Sequence, residues 1–136
     1  MASGPEPVHE GSLDQVLGIE GFTFDGETIA TARMAVHDGV RQPFGVVHGG
    51  AYAALAESLS SRATFQAVAP EMTALGQANE SIFLRPVFAG TIHARARALH
   101  RGRTSWVWDV EMTDDEGRLC ATSRLIIAVR PRPERR

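Results

Sequence analysis

The sequence predicts an α+β fold in which a mostly antiparallel sheet curls round one long buried helix. Two short strand patterns come first along the chain, and about twenty residues of apolar, small-residue sequence follow them. A run of strands with alternating apolar and polar residues then continues almost to the end, joined by short turns. This order of strands, helix and strands is typical of α+β proteins.

The N-terminal part of the chain contains a helical turn and a hairpin. Residues 1–10 are rich in Gly, Pro and Glu, and we expect a disordered lead-in there, before a single domain over residues 11–132. Residues 12–17 can form one or two helical turns, with Ser12 as the cap and Gln15 at the capping-box position. Residues 22–24 and 29–36 are predicted strands, and Asp25-Gly26 marks the turn of their hairpin.

The long helix is expected to begin at Gly49 or Gly50 and to run to about Val68, because Pro70 forces a stop. Twenty residues at about 1.5 Å each form a rod of roughly 30 Å, the width of the whole domain. The helix is therefore expected to lie across the core.

The later strands are predicted from two-residue periodicity. In residues 91–99 one face is apolar and the other is basic, and residues 105–112 repeat the alternation with Trp106 and Trp108 on one side. We expect these tryptophans to pack a sheet face or a subunit contact. An acidic turn over residues 114–117 leads into a last strand over residues 119–129, and a basic tail ends the chain at residues 133–136.

Composition excludes several function classes. The formal charge of −2 favours no nucleic acid, no stretch is long and apolar enough for a membrane, and the first residues lack a secretory pattern, so we expect a cytoplasmic protein. Cys120 is the only cysteine, which excludes an internal disulfide and a cysteine zinc cluster; we expect it to be a small buried residue. All 14 basic residues are arginine, so lysine chemistry is absent. No histidine pair has metal-ligand spacing, so we expect no metal.

Glu57 is the clue to function. It lies in the middle of the predicted helix among Ala51, Ala53, Ala54 and Ala56, and such a small-residue helix is usually buried. An ionised Glu in a buried helix costs several kcal/mol unless it is paired or its pKa shifts. Glu57 is therefore either a paired structural carboxylate or a group that does chemistry.

The start of the helix is suited to holding an oxyanion. The first helical amides have no partner within the helix, and the macrodipole is positive there, so the Gly49 amide can bind a carbonyl oxygen without a side chain in the way. Glu57 lies eight residues on, displaced by about 12 Å along the axis and roughly 80° around it, whereas Ser61 shares its face. A site that uses both Gly49 and Glu57 therefore needs a second helix, antiparallel, in a twofold dimer.

Six residues of this stretch carry, with their spacing, a resemblance to a known family: Gln42, His48, Gly49, Gly50, Glu57 and Ser61. They resemble the hotdog-fold acyl-CoA thioesterases of the PaaI-like superfamily, in particular the branch of the Arthrobacter-type 4-hydroxybenzoyl-CoA thioesterase. The resemblance covers the chain from about residue 13 to its end through the motifs GQAN (76–79), FLRP (83–86), LHRG (99–102), WVWDV (106–110), GRLCA (117–121) and IAVRPR (127–132).

The resemblance implies a hotdog fold and hydrolysis of an acyl-CoA to the free acid and CoA, with no cofactor besides the CoA of the substrate. The Gly49 amide, with Gln42 nearby and Gly50 next to it, would polarise the thioester carbonyl. Glu57 of the neighbouring subunit would attack as the nucleophile or activate water as the general base. Ser61 would hold the water, at a position where the closest relatives carry Thr, and His48 would shape the turn or contact the acyl group.

Two further positions concern the acyl group. The pair of Gln42 and Glu57, where other members carry Asn and Asp, indicates the aryl-CoA branch. Arg62 stands where the closest relatives carry an acidic residue that faces the acyl site, so it either favours a different substituent, such as an anionic one, or points to solvent. Asp14 corresponds to a residue near the aromatic end of the substrate.

The phosphates of CoA call for arginines, which bind them through bidentate hydrogen bonds. Arg85 and Thr104 match family positions for this role. Arg103 stands where the closest relatives carry a small polar residue, and three further arginines are candidates by charge: Arg101, Arg130 and Arg132. Each of the four either strengthens phosphate binding or is solvated surface. The family also implies a homodimer with shared active sites and commonly a homotetramer.

Two alternatives to a thioesterase stay open. Hotdog domains also serve as non-catalytic acyl-CoA-binding or regulatory modules, although such proteins usually append a DNA-binding segment. A hydratase or dehydratase on the same fold would need an Asp and His pair at the helix in place of Gln42 and Glu57. Turnover of a thioester separates the leading hypothesis from both.

Overall fold

The sheet wraps round one long helix, as the sequence predicts. In the computed structural model, which describes residues 7–133, the elements are α1 (Leu13–Leu17), β1 (Ile19–Asp25), β2 (Ile29–Ala35), a 3₁₀ turn (Asp38–Val40), α2 (Gly49–Val68), β3 (Met72–Phe83), β4 (Thr91–Arg101), β5 (Ser105–Thr113) and β6 (Leu119–Pro131). Most of the expected lead-in and tail, residues 1–6 and 134–136, lies outside the described residues.

The six strands form a single antiparallel sheet in the order β1-β2-β4-β5-β6-β3. The helix α2 follows β2 in sequence, packs against all six strands and leads into β3 at the far edge. This crossing from one side of the sheet to the other leaves β1 and β3 as the two edge strands. The position of α2 across the core is the one predicted from its length.

The buried face of α2 anchors it to the sheet. Leu55, Ala56 and Leu59 are fully buried, and each leucine contributes about 1.5–3 kcal/mol by leaving water. Farther along, Trp108 of β5 donates a hydrogen bond of 2.9 Å from its indole nitrogen to the Thr64 hydroxyl. Trp106 and Trp108 stack at 6.0 Å and are both buried, so they pack the inner sheet face as expected.

The short helix α1 is capped much as predicted. The Ser12 hydroxyl accepts the Gln15 amide at 3.3 Å, while the Gln15 side chain accepts the Gly11 amide at 2.5 Å instead of the Ser12 amide of a standard capping box. Gly18 ends the helix in the left-handed conformation that glycine favours. These caps place Leu13 and Asp14 against α2.

Candidate active site

A small hairpin leads the chain into α2. Arg41 and Val47 form an isolated antiparallel bridge, the Gln42 amide donates to the Val46 carbonyl at 2.9 Å, and the His48 amide donates to the Val40 carbonyl at 2.7 Å. These bonds fix the half-buried Gln42 in the loop directly before the helix. The local pairing therefore fixes the position of Gln42 relative to the first turn of α2.

The first turn of α2 leaves one amide unused. His48 is the N-cap, and its Nδ1 accepts the Gly50 amide at 2.8 Å, while its carbonyl accepts the Ala51 amide at 2.9 Å. Within residues 7–133 the Gly49 amide donates to no protein group. It is therefore available to a ligand oxygen at the positive end of the helix dipole.

The bond to Gly50 also fixes the tautomer of His48. An imidazole nitrogen that accepts a hydrogen bond carries no proton, so neutral His48 has its proton on Nε2. The side chain thus holds the turn, which is one of the two roles expected for it.

Phe83, at the end of β3, covers Gly49. A Cβ atom added at Gly49 would lie 2.8 Å from the Phe83 ring, closer than real Cβ contacts come. The Phe83 ring lies 6.0 Å from that of Tyr52, whose buried hydroxyl has no hydrogen-bond partner among residues 7–133. Burial raises the pKa of Tyr52 to about 12, so its side chain is a neutral phenol at physiological pH. A side chain at position 49 would therefore have to displace the Phe83 ring.

Glu57 is exposed in the single chain, which differs from the expectation of a carboxylate in a buried helix. Alanines occur on both sides of α2, so composition alone does not mark which side is covered. Ala51, Leu55 and Ala56 pack into the core, whereas Glu57 lies beside this buried face, against Gly76 in the edge strand β3. The carboxylate therefore lies at the surface between the helix and the edge strand.

Glu57 lies in an open cleft of about 470 Å³ between α1, α2 and β3. The cleft brings together four of the residues predicted from sequence, Asp14, Glu57, Ser61 and Arg62. Its remaining lining residues are Leu13, Ala53, Ala54, Ser58 and Asn79. Gln42 and Gly49 are not among its walls, as expected if one chain supplies only part of the site.

Contacts with Asp14 and Phe22 hold the Arg62 side chain in place within this cleft. Its Nε donates to an Asp14 oxygen at 3.3 Å, and the other Asp14 oxygen accepts the Ser58 hydroxyl at 2.5 Å. The Arg62 guanidinium carbon also lies 4.3 Å from the centre of the Phe22 ring. The side chains of Asp14 and Arg62 are only 16% and 19% exposed, so Arg62 does not simply point to solvent.

The residues expected to bind the CoA phosphates lie at two ends of the sheet. Arg85 follows β3 near the start of α2, and Thr104 lies in the β4–β5 turn. The paired strands β3 and β6 separate these ends by about 35 Å at 3.3 Å per residue. The other candidates, Arg101, Arg103, Arg130 and Arg132, are exposed at the Thr104 end.

Two of these arginines already have protein partners. Arg101 pairs with Glu27 at 2.5 Å, and Arg130 donates to the carbonyl oxygens of Thr104 and Val129 at 2.7 and 2.8 Å. A single chain therefore does not bring the whole predicted set together.

Sequence reasoning missed three residues around Glu57: Ser58, Gly76 and Asn79. Ser58 and Arg62 are four residues apart on a helix, a spacing that puts their side chains on one face and so carried a signal. Gly76 and Asn79 belong to the GQAN motif of the family resemblance, but nothing in the sequence placed them beside Glu57, because their approach to α2 depends on the pairing of β3 with β6.

Two possible features are absent from the part of the chain that the structure describes. No three His, Cys, Asp or Glu side chains gather there in a way that would hold a metal ion. None of its helices combines the length and hydrophobicity needed to cross a bilayer.

Cys120 is a core residue, as expected. It is fully buried, and burial raises the pKa of its thiol, so the thiol is neutral.

Comparisons with known proteins agree with this geometry. The family model of the thioesterase superfamily matches residues 44–121. The proofreading thioesterase EntH of Cronobacter turicensis is 40% identical over 119 residues, which cover 88% of this chain and 86% of EntH.

Two solved structures have the same fold. A thioesterase of Haemophilus influenzae has a TM-score of 0.85 and 37% identity, covering 92% of this chain and 87% of its own. A variant of a Pseudomonas aeruginosa thioesterase has a TM-score of 0.86 and 37% sequence identity, and the match covers 90% of this chain and 88% of that chain. The chain belongs to the thioesterase superfamily, has the hotdog fold that its sequence predicts, and is a thioester hydrolase.

Proposed function

We propose that this enzyme hydrolyses an aryl-CoA of the hydroxybenzoyl type to the free acid and CoA, at active sites shared between two subunits. One observation carries the proposal: the unused Gly49 amide and the exposed Glu57 carboxylate lie on the same helix, eight residues apart. Their separation of about 12 Å is too long for one carbonyl group. A second, antiparallel α2 would bring Glu57 of one subunit to Gly49 of the other.

The chemistry follows from these two groups. The Gly49 amide donates to the thioester oxygen and stabilises the negative charge that develops there, with Gln42 as a second polar group nearby. Glu57 either takes a proton from water, whose oxygen then bonds to the carbonyl carbon, or attacks that carbon itself to form an anhydride that water opens. In the first route Glu57 gives its proton to the CoA sulfur as the carbon–sulfur bond breaks. In the second route the CoA leaves as a thiolate, which takes a proton from water. Ser61, one turn beyond Glu57, would hold the water.

The edge strand β3 supports the twofold arrangement. It pairs with β6 on one side only, and four large apolar side chains on or next to it are at least half exposed: Leu75, Ile82, Phe83 and Leu84. Unpaired edges with apolar side chains favour pairing with another chain. Pairing of β3 with its own copy would extend the sheet and set the two α2 helices side by side. We further expect two such dimers to form a tetramer.

The same arrangement accounts for the divided set of CoA-binding candidates. An antiparallel twofold axis through β3 exchanges the two ends of the strand, so Arg85 of one subunit would come close to the Thr104 end of the other. Arg103 and Arg132 would then contribute charge from that side. We therefore propose that the nucleotide of CoA also contacts both subunits.

The cleft supports a polar, uncharged acyl end. Arg62 and Asp14 form an ion pair, so the charge of each is balanced within the protein. Ser58 and Ser61 add hydroxyl groups, while Ala53 and Ala54 leave room for a flat ring. A hydroxylated aryl group fits such a wall better than an anionic substituent, which would have to compete with Asp14 for the guanidinium.

A thiol-release assay tests the proposal. Benzoyl, 4-hydroxybenzoyl, 4-carboxybenzoyl, phenylacetyl and fatty acyl-CoA are compared, and we expect the hydroxylated aryl ester to give the highest kcat/KM. Glu57→Ala should lower kcat by about 10²- to 10⁴-fold, the usual contribution of a general base. Single turnover in H₂¹⁸O then tests the nucleophilic route, since ¹⁸O enters Glu57 only if water opens the anhydride at the Glu57 carbonyl carbon.

Three outcomes would contradict parts of the proposal. A fully active Glu57→Ala variant rules out the catalytic assignment. A preference for fatty acyl-CoA rules out the aryl group. Tight acyl-CoA binding without turnover of any ester would instead favour a binding module.

A further inference from the structure

The helix-facing side of β3 forms a seat for the Glu57 carboxylate. A Cβ atom added at Gly76 would lie 2.7 Å from Oε2, 2.8 Å from Cδ and 3.1 Å from Cγ of Glu57. No side chain larger than hydrogen fits at position 76 while the carboxylate keeps this place. Gly76 does not have a positive φ, so its backbone conformation is one that alanine also adopts. The carboxylate, and not the backbone, is what requires glycine there.

The strand is irregular at this seat. Gly76 pairs with Ile127 and Ala78 pairs with Ile126, so Gln77 is an extra residue and forms a β-bulge in β3. A bulge bends its strand and changes the direction of the neighbouring side chains, and bulges occur often beside active sites. Here the bulge separates Gly76, under the carboxylate, from Asn79, which reaches the helix by a different contact.

Asn79 ties the strand to the helical turn that carries Glu57. Its Nδ2 donates to the Ala53 carbonyl at 3.0 Å. Ala53 is four residues before Glu57, so its carbonyl also accepts the amide of Glu57 in the helix. The Oδ1 of Asn79 accepts the Ser81 hydroxyl at 2.7 Å, and Ser81 contacts the Ser123 hydroxyl of β6 at 2.6 Å. This chain of bonds links the central sheet to the helical turn below Glu57.

We infer that Gly76 and Asn79 are positioning residues, which hold the Glu57 carboxylate in its reactive place from the edge strand. The inference rests on the proposed function, in which Glu57 does the chemistry. Gly76 supplies the space for the carboxylate, and Asn79 sets the distance between β3 and the helical turn. Gly76 and Asn79 of the GQAN motif (76–79) thereby act through Glu57.

Gly76→Ala is the first test. The carboxylate is the end of a flexible, exposed side chain, so it can swing away from the added methyl group while the fold persists. We expect kcat to fall about 10- to 100-fold with little change in KM, because a displacement of about 1 Å can cost 10²-fold in rate. In a Glu57→Ala background the same change should leave the residual rate unaltered. Equal losses in both backgrounds would overturn the inference.

Crystal structures of the wild type and of Gly76→Ala test the seat without reference to activity. We expect the Glu57 carboxylate to move by about 1 Å or more in the variant, while the backbones of β3 and α2 stay in place. An unmoved carboxylate overturns the inference even if the enzyme is a thioesterase. A displaced carboxylate in a protein that hydrolyses no thioester supports the seat and refutes the proposed function instead.

Asn79→Asp and Asn79→Ala test the second contact, and Glu80→Gln is the matched control. Both Asn79 variants lose the donor to the Ala53 carbonyl, so we expect lower kcat at similar KM. Glu80 follows Asn79 on the strand and faces the other side of the sheet, beside Asp109 and Arg124, so its variant should keep wild-type kinetics. If the Asn79 variants also keep wild-type kcat, Asn79 has no positioning role.

Discussion

At the residue scale, we expect the helix cap formed by His48 to be coupled to catalysis. Its Nδ1 satisfies the Gly50 amide and so leaves the neighbouring Gly49 amide as the unused donor. Asparagine is a good N-cap residue and presents an oxygen to the same amide, whereas alanine does not. We expect His48→Ala to lose about 0.5–2 kcal/mol in the free energy of unfolding and most of its kcat, and His48→Asn to keep most of both. Urea denaturation and the thiol-release assay measure the two effects.

His37 provides the control for this prediction. It caps the 3₁₀ turn in the same way, with Nδ1 accepting the Gly39 amide at 3.0 Å, and its Nε2 donates to the Leu17 carbonyl at 2.8 Å. His37→Ala should therefore lower stability while kcat is kept. If His48→Asn is as damaging to kcat as His48→Ala, the imidazole itself contacts the reacting groups and capping is not its role.

The single residues around Glu57 mark the limit of what the sequence predicts. The spacing of Gly49, Glu57 and Ser61 follows from helical geometry, so the sequence alone predicts that one chain does not complete the site. The exposure of Glu57 and its contact with Gly76 depend on where β3 lies, which is a long-range property. Gly76 and Asn79, which reach the helix through sheet pairing, were therefore missed, whereas the position of Ser61 beside Glu57 follows from the helix alone; Ser58 of the same helix was missed although its spacing carried a signal.

At the element scale, α1 is held to α2 by a polar cluster. Asp14 of α1 accepts from Ser58 and Arg62 of α2, and both partners of the ion pair are mostly buried. Removing one partner leaves the other charge without compensation, so Asp14→Asn and Arg62→Met should each destabilise the protein. The double variant should cost less than the sum of the single variants, with a coupling of about 0.5–3 kcal/mol. A double-mutant cycle in urea measures this coupling.

The same cycle informs on substrate choice. If Arg62 serves α1 and not an anionic substituent, 4-carboxybenzoyl-CoA should be a poor substrate of both the wild type and Arg62→Met. Two results together would contradict the role given to the ion pair. The effects of Asp14→Asn and Arg62→Met on the free energy of unfolding would be additive, and 4-carboxybenzoyl-CoA would be turned over by the wild type but not by Arg62→Met. Arg62 would then be a direct ligand of the acyl group.

The elements themselves were predicted unevenly. The bounds of α2 and the alternation in β4, β5 and β6 were readable because one face of each is buried and the period is regular. The strand β3 was not predicted, although it has 12 residues. It is an edge strand with most of its side chains exposed and a bulge at Gln77, so neither a buried face nor an unbroken period marks it. The strand that was hardest to predict is also the one that the proposed site depends on.

At the scale of the whole molecule, the proposed dimer makes a quantitative prediction. Glu57→Ala removes the carboxylate, and Gly49→Ala adds a methyl group where the Phe83 ring lies, which disturbs the amide site. Each variant alone should be nearly inactive. If Glu57 of one subunit serves Gly49 of the other, a mixed dimer has one site with both groups intact and one with neither. Random reassociation in equal amounts then restores about a quarter of the wild-type activity, since half the dimers are mixed and each has one working site.

The experiment uses differently tagged variants that are co-expressed or mixed under conditions that exchange subunits, with wild type treated in parallel. Purification through both tags isolates the mixed particles. A mixed dimer should have half the wild-type activity, because one of its two sites is intact, whereas tetramers that also include unmixed dimers should have about 0.3 of it. If Gly49 and Glu57 worked within one chain, every site in the mixed dimer would carry one substitution. Activity would then stay at the level of the single variants, and the shared site would be ruled out although the thioesterase activity would stand.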